Sequence, residues 1–202
     1  MQAESPKTAQ ILQGALQVFL VQGFDGASMD DIAQAAQVSK ATIYAHFSDK
    51  NALFIESIRG AARGQSDLII AMDRLEIPLP DALAEIGMHF LEVILGDQAL
   101  RLHGVCMAES ERFPMVARIY FESGPAHAAR QLAQLLAVAR ERGEFTDEGV
   151  DLELAAWQFF EVCKGGLFYR ALMLGPVSVT PEEMQTAVDA GVRLFLRAYG
   201  RA

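Results

Sequence analysis

Ser28 to Phe47 reads SMDDIAQAAQVSKATIYAHF, and this stretch decides how the rest of the chain is understood. Ser28 stands three residues before Asp31 and can cap a helix carrying Ile32, Ala35 and Ala36, because a cap oxygen accepts amide protons that the first turn leaves unpaired. The run breaks at Gln37-Val38. Ser39 then opens a second short helix in which Ile43 and Phe47, spaced i, i+4, share one inner face. Lys40, Thr42, Tyr44 and His46 are left for the outside. Two short helices across a tight turn, the second with polar and aromatic groups outward, form the pattern of a helix-turn-helix.

The flanking segments read as support for that unit. About Pro6 to Gln22 forms a preceding helix, with Ile11, Ala15 and Phe19 at i, i+4, i+8 and Leu12, Leu16 and Leu20 beside them. Gly23 ends it, Gly23-Phe24-Asp25-Gly26 turns the chain, and Phe24 is expected between helices. Ser48-Asp49-Lys50 caps the next helix, which places Leu53, Phe54 and Ile58 inward and continues through Gly60 and Gly64 towards Met72. That helix is the natural relay to the remainder of the chain.

Further on, Ile77-Pro78-Leu79-Pro80 is a break, and Asp81 begins a helix with Leu83, Ile86, Phe90, Ile94 and Leu95. Helices are then expected over Gln98–Arg112, Met115–Glu122, Ala126–Arg142 and Asp147–Leu174. A last one runs from Pro181, a first-turn proline, to Tyr199. The total is about ten helices, so the fold class is all-α. An N-terminal three-helix DNA-binding domain over residues 1–50 would precede a helical domain over 51–202. Gly165 and Gly166 would allow close helix approach, and the two long helices Ala126–Arg142 and Asp147–Leu174 would supply a dimer contact as a four-helix bundle.

Composition bounds the function. The 202 residues are 51% hydrophobic and 21% charged, a soluble globular balance. No apolar run reaches the roughly 18 residues of a membrane span, and the start lacks the basic-then-apolar pattern of a secretion signal, so a cytoplasmic protein is expected. Cys106 and Cys163 lie in apolar helical patterns outside any Cys-x-x-Cys motif and read as core thiols. The net charge of −9 argues against general polyanion binding, and the first 50 residues themselves net −2. A DNA site must therefore rest on a few positioned groups, doubled by dimerisation.

With these residues laid out, the sequence resembles the TetR family of transcriptional regulators. The resemblance is carried by ILQGALQVFLVQGFDGASMDDIAQAAQVSKATIYAHFSDKNALF, Ile11 to Phe54. The second half, in RLHGVCMAESERFPMV and FFEVCKGGLFYRALM, is similar to the C-terminal domains of AcrR- and AefR-like, efflux-linked members. The resemblance implies a repressor that binds a palindromic operator as a homodimer and is released by a small apolar or amphipathic effector, without a cofactor. By position, Ser28 would bond phosphate, and Ser39, Lys40, Ala41 and Thr42 would meet the major groove. Tyr44, His46 and Lys50 would reach the backbone. Hydroxyls and helix termini fix register in this way, while Lys40 and Thr42 are the groups able to read base edges. Gln37 stands where many members have Gly, which implies strain if its backbone is left-handed. Ala45 is small at a position often held by a larger polar residue, so fewer side chains would reach base edges.

Large and polar residues of the second half are the candidates for an effector cavity: His103, Met107, Phe113, Trp157, Phe160 and Cys163, with Glu109 beside them. His103, Cys106 and Glu109 do not make a metal site, since the first and last are about 600° apart around a helix. No nucleophile–base pair or phosphate loop stands out. An all-α enzyme and a helical interaction protein are the alternatives that the residues alone leave open.

Overall fold

The structure is a computed structural model that describes residues 5–70, 77–145 and 149–200. Those residues hold eleven α-helices and no β-strand: α1 Pro6–Gly26, α2 Met29–Ala35, α3 Lys40–His46, α4 Lys50–Ile69, α5 Leu79–Ile94, α6 Asp97–Ala108, α7 Pro114–Ser123, α8 Pro125–Glu141, α9 Leu152–Lys164, α10 Leu167–Leu174 and α11 Pro181–Tyr199. The expected all-α class is what the chain adopts. The predicted continuation of α4 towards Met72 falls outside the described residues.

Contacts divide the chain into two compact units. One comprises the residues up to Gly64 with Arg101–Gly124, the other Gln65–Leu100 with Pro125 onward. The boundary falls inside α4 and again inside α6. Hydropathy alone does not reveal that α7 and the part of α6 from Arg101 onward group with the first unit.

The first unit is built on α1. Ser5 caps it and Pro6 occupies its first turn, where a missing N–H costs nothing. Ile11, Ala15 and Phe19 are fully buried as their spacing requires, and Gly23, at φ 69°, interrupts the helical backbone where the sequence places the end of the helix. Gly14 allows α1 to press on the end of α2, since a Cβ there would stand 2.6 Å from Ala36 Cα. Phe24 lies against Phe54 and Phe113, with ring centroids 5.1 and 4.7 Å away. Ile32, Ile43, Leu53, Ile58, Leu102, Cys106 and Val116 complete this core. Burial of each such side chain contributes about 1.5–3 kcal/mol.

The second unit packs α5, α8, α9 and α11 around Leu79, Leu83, Ile86, Leu132, Leu136, Phe159, Cys163 and Val188. Phe145 closes one end, 5.6 Å from the Tyr199 ring. α11 spans the predicted residues and starts with a capping box, in which Thr180 accepts from Glu183 N and Glu183 accepts from Thr180 N.

Two expected helices are corrected. Gln98–Arg112 ends at Ala108, and residues 109–112 turn towards Phe113. Asp147–Leu174 is not one helix. Asp147 lies outside the described residues, Asp151 caps α9, and the chain breaks between α9 and α10. At the break Gly165 takes φ 47° and ψ −135°, a conformation that L side chains avoid. Within the chain no atom lies near a Cβ built on Gly165 or Gly166, so this glycine pair serves a turn here.

Candidate nucleic-acid interface

Local chemistry fixes α2 and α3. Ser28 Oγ accepts from Asp31 N at 3.1 Å and donates to Asp31 Oδ2 at 2.7 Å. Asp30 and Asp31 in the first turn of α2 face its positive end, a favourable placement. At the other end, Val38 N bonds Ala33 O at 3.0 Å and Gln37 N bonds Gln34 O at 3.1 Å. These two bonds make a Schellman cap. The cap demands a left-handed residue, and Gln37 supplies it with φ 52°, the one non-glycine positive φ among the described residues. Gln10 Nε2 satisfies the Ala36 carbonyl at 2.8 Å, which ties α1 to the turn.

Ser39 caps α3 by accepting from Thr42 N at 3.0 Å, and its Oγ lies 2.8 Å from Thr42 Oγ1. Ile43 is fully buried and Phe47 nearly so. Anchoring these two turns Lys40, Ala41, Tyr44, Ala45 and His46 to solvent, with Thr42 half-buried. Tyr44 is 53% exposed, unusual for an aromatic without an outside partner. The sequence-predicted groups Ser39 to His46 thus lie on one short helix, whose packed side is the hydrophobic core.

The charges are less free than the sequence suggests. Lys40 Nζ stands 3.0 Å from Asp30 Oδ1, an exposed ion pair. His46 Nδ1 lies 3.2 Å from Thr8 Oγ1, which brings the start of α1 beside the end of α3. Lys50 Nζ donates to Phe24 O at 2.7 Å and to Ala27 O at 2.8 Å, and sits 4.4 Å from the Phe24 ring centroid. Lys50 is thereby a bracket for the α1–α2 turn. Asp30, Thr8 and Gln10 escape a reading of the sequence because their partners lie 10 to 38 residues away.

The predicted effector residues divide between the units. His103, Met107 and Phe113 lie in the first. His103 Nδ1 is 3.4 Å from the hydroxyl of the half-buried Tyr120, Phe113 packs on Phe24, and Met107 is 59% exposed. Trp157, Phe160 and Cys163 lie in the second, where Phe160 packs on Phe90 at 4.4 Å and Cys163 is sealed. Burial pushes the Cys106 and Cys163 thiols up to about 12, and drives the Tyr120 phenol well above its ordinary value. Neither thiol is a nucleophile at neutral pH. Among the described residues no three metal-ligating side chains converge, and no helix is long and apolar enough to cross a membrane.

Residues 11–56 match the N-terminal domain described as bacterial regulatory proteins, tetR family, and residues 81–201 match the AefR-like transcriptional repressor, C-terminal domain. The chain belongs to the TetR family. TetR-family proteins are DNA-binding transcriptional regulators, not enzymes, and the enzyme alternative falls away. The HTH-type transcriptional regulator YdeS of Bacillus subtilis is 30% identical over 174 residues, covering 82% of this chain and 78% of that protein. A TetR-family regulator from Mesorhizobium loti has the same fold, with a TM-score of 0.90 and 28% identity over 98% of this chain and all of that one. The flavonoid-responsive regulator FrrA superposes with a TM-score of 0.79 at 34% identity, over 97% of this chain and 98% of its own.

Proposed function

We propose that this TetR-family regulator is a ligand-responsive repressor. Residues 1–50 would bind a palindromic operator, and residues 51–202 would hold the effector and the dimer contact. The observation that carries the DNA reading is the exposed face of α3, set by buried Ile43 and Phe47. On it, Lys40, Ala41 and Thr42 would approach base edges, while Tyr44, with Ser28, Ser39 and His46, would bond phosphates. Lys50 would act chiefly by holding the α1–α2 turn, with any phosphate contact secondary to its two carbonyl bonds.

A homodimer suits the apolar surface that remains. Leu154 on α9, Leu172, Met173 and Leu174 on α10, Val177 and Leu194 are exposed, Val177 by 92% and Met173 by 78%. No large apolar side chain is exposed on α8, so the dimer face would be α9 to α11 rather than α8 with α9. Two copies would present recognition helices to successive major grooves about 34–36 Å apart. The effector would be a small apolar or amphipathic molecule that shifts the dimer away from that spacing. The likeness to FrrA supports an aromatic effector of flavonoid kind. Action in the cytoplasm and an efflux-linked target belong to the same proposal, the latter resting on the resemblance of the second half.

The test is selection of genomic fragments by the purified protein, followed by light scattering of the complex. Recovery of a shared inverted repeat bound by an even number of chains supports the reading. Retention without sequence preference at moderate salt, or binding by a single chain, would reject it.

A further inference from the structure

The first turn of α1 and the last residue of α3 meet through a hydroxyl and an imidazole. Thr8 stands three residues before Ile11 and seven before Ala15, both fully buried, so it continues the inner stripe of α1 to a half-buried end. His46 follows buried Ile43 by three residues and directly precedes buried Phe47, which fixes its backbone at the end of α3. Thr8 Oγ1 and His46 Nδ1 are 3.2 Å apart. Thr8 Oγ1 is also 2.9 Å from Ser5 Oγ, which accepts from Thr8 N at 3.2 Å. All three residues lie in the first unit.

The protons give this chain of groups a direction. Two hydroxyl protons serve two links, Ser5 to Thr8 and Thr8 to His46. Ser5 Oγ already accepts from the Thr8 amide, so its proton goes to Thr8 Oγ1, and the Thr8 proton goes to His46 Nδ1. A neutral imidazole carries one N–H, so filling Nδ1 from Thr8 puts that hydrogen on Nε2. His46 is exposed, and its ring makes no other hydrogen bond among the described residues. Phosphate oxygens only accept, so a neutral histidine bonds one through the nitrogen that holds its proton. The opposite tautomer would turn a lone pair towards the phosphate.

Among the described residues no charged side chain contacts the ring. Lys7 of α1 donates to Gln10 Oε1 at 3.0 Å, and Lys40 of α3 pairs with Asp30 of α2. Before α4, Asp49 accepts from Ala52 N at 2.8 Å, and Lys50 is held by the Phe24 and Ala27 carbonyls.

We propose that Thr8 is a positioning residue for the DNA contact, holding the neutral His46 ring with its proton on Nε2 for a backbone phosphate. When the ring takes a second proton, Nδ1–H donates to Thr8 Oγ1 and Thr8 turns its own proton to Ser5 Oγ. The hydroxyl pair thus serves both charge states, and Nε2–H stays available to the duplex in each. The inference rests on the DNA reading above, in which His46 meets phosphate, and adds the group that prepares it.

The test records long-range proton–nitrogen-15 NMR spectra of the full-length protein at about pH 8, the His46 signals being those lost in His46→Ala. Wild type and Thr8→Ser should show Nε2 protonated and Nδ1 bare, and Thr8→Val should show a mixture. Anisotropy then follows binding of a fragment recovered by genomic selection. At about pH 8, Thr8→Val should bind about fivefold more weakly, since the released ring still holds its proton on Nε2 part of the time. Thr8→Ser should bind as wild type does. At about pH 5.5 an imidazole carries protons on both nitrogens, and the Thr8→Val deficit should shrink to less than about twofold. His46→Ala should lose about 25-fold, one contact in each half of a dimer, and adding Thr8→Val to it should cost nothing more. Wild-type His46 protonated on Nδ1, undiminished affinity of Thr8→Val at about pH 8, a deficit equal at the two pH values, or a further loss in the double variant would each overturn the proposal. The DNA reading would then stand. Wild-type affinity in His46→Ala would instead remove the phosphate contact itself, and the proposal with it.

Discussion

Lys40 and Asp30 hold each other at 3.0 Å on the surface of the helix-turn-helix. Lys40 is the one lysine or arginine of α3, and its partner belongs to α2. Both side chains are exposed, so the pair adds at most about 1 kcal/mol to stability. Its larger consequence is for DNA, since a phosphate or guanine must draw Lys40 from a carboxylate that itself repels the duplex. Asp30→Asn should therefore raise operator affinity several-fold at about 0.1 M salt. Anisotropy with unchanged thermal unfolding checks it, and unaltered affinity would show that Lys40 does not meet the duplex.

Lys50 offers a contrasting case. Its two carbonyl bonds and its seat over Phe24 make it part of the fold. Lys50→Met keeps the aliphatic stem and leaves both carbonyls without that donor. It should lower unfolding free energy by about 2 kcal/mol, the scale of charged hydrogen bonds, in urea titration. A loss of DNA binding with undiminished stability would instead make Lys50 chiefly a phosphate contact.

Gln37 sits at φ 52° in a cap that suits glycine. Gln37→Gly should relieve about 1 kcal/mol of left-handed strain and raise the melting temperature. Gln37→Val should lower it by more, because a β-branched side chain tolerates that backbone least. The pair of melting curves is the check.

This turn also shows what was legible in the sequence and why. Caps at Ser28 and Ser39 depend on residues three apart and Pro181 marks a first turn, so α2, α3 and α11 could be placed from local spacing alone. The departure at Gln37 was visible for the same reason. The bracket on Lys50, the Lys40–Asp30 pair and the Arg112–Asp25 ion pair join residues 26, 10 and 87 positions apart, and no local pattern encodes them. The break at Gly165-Gly166 was not legible because the apolar spacing runs on across it, and only the backbone angles at Gly165 mark the turn.

The buried thiols give the molecule a predictable alkaline limit. Cys106 and Cys163 are held near 12 in the folded chain, against 9.0 when exposed. Above pH 9 the unfolded chain loses thiol protons that the folded chain keeps, so folding stability falls as pH rises from about 9 towards 12. Below pH 9 both states keep these protons and the thiols contribute no pH dependence. Urea midpoints from pH 7 to 10.5 should be flat and then fall. Both thiols should resist an alkylating reagent at pH 8 until the protein unfolds.

The central claim is that the exposed face of α3 reads DNA. Its most direct measurement compares wild type with the Lys40→Ala, Tyr44→Ala double variant on a fragment recovered by genomic selection. Both side chains are exposed, so the variant should melt within about two degrees of wild type. We predict a loss of operator affinity of about 1,000-fold, the scale of two contacts in each half of a dimer at about 1 kcal/mol apiece. Affinity within threefold of wild type, in a variant that remains folded, would contradict the account.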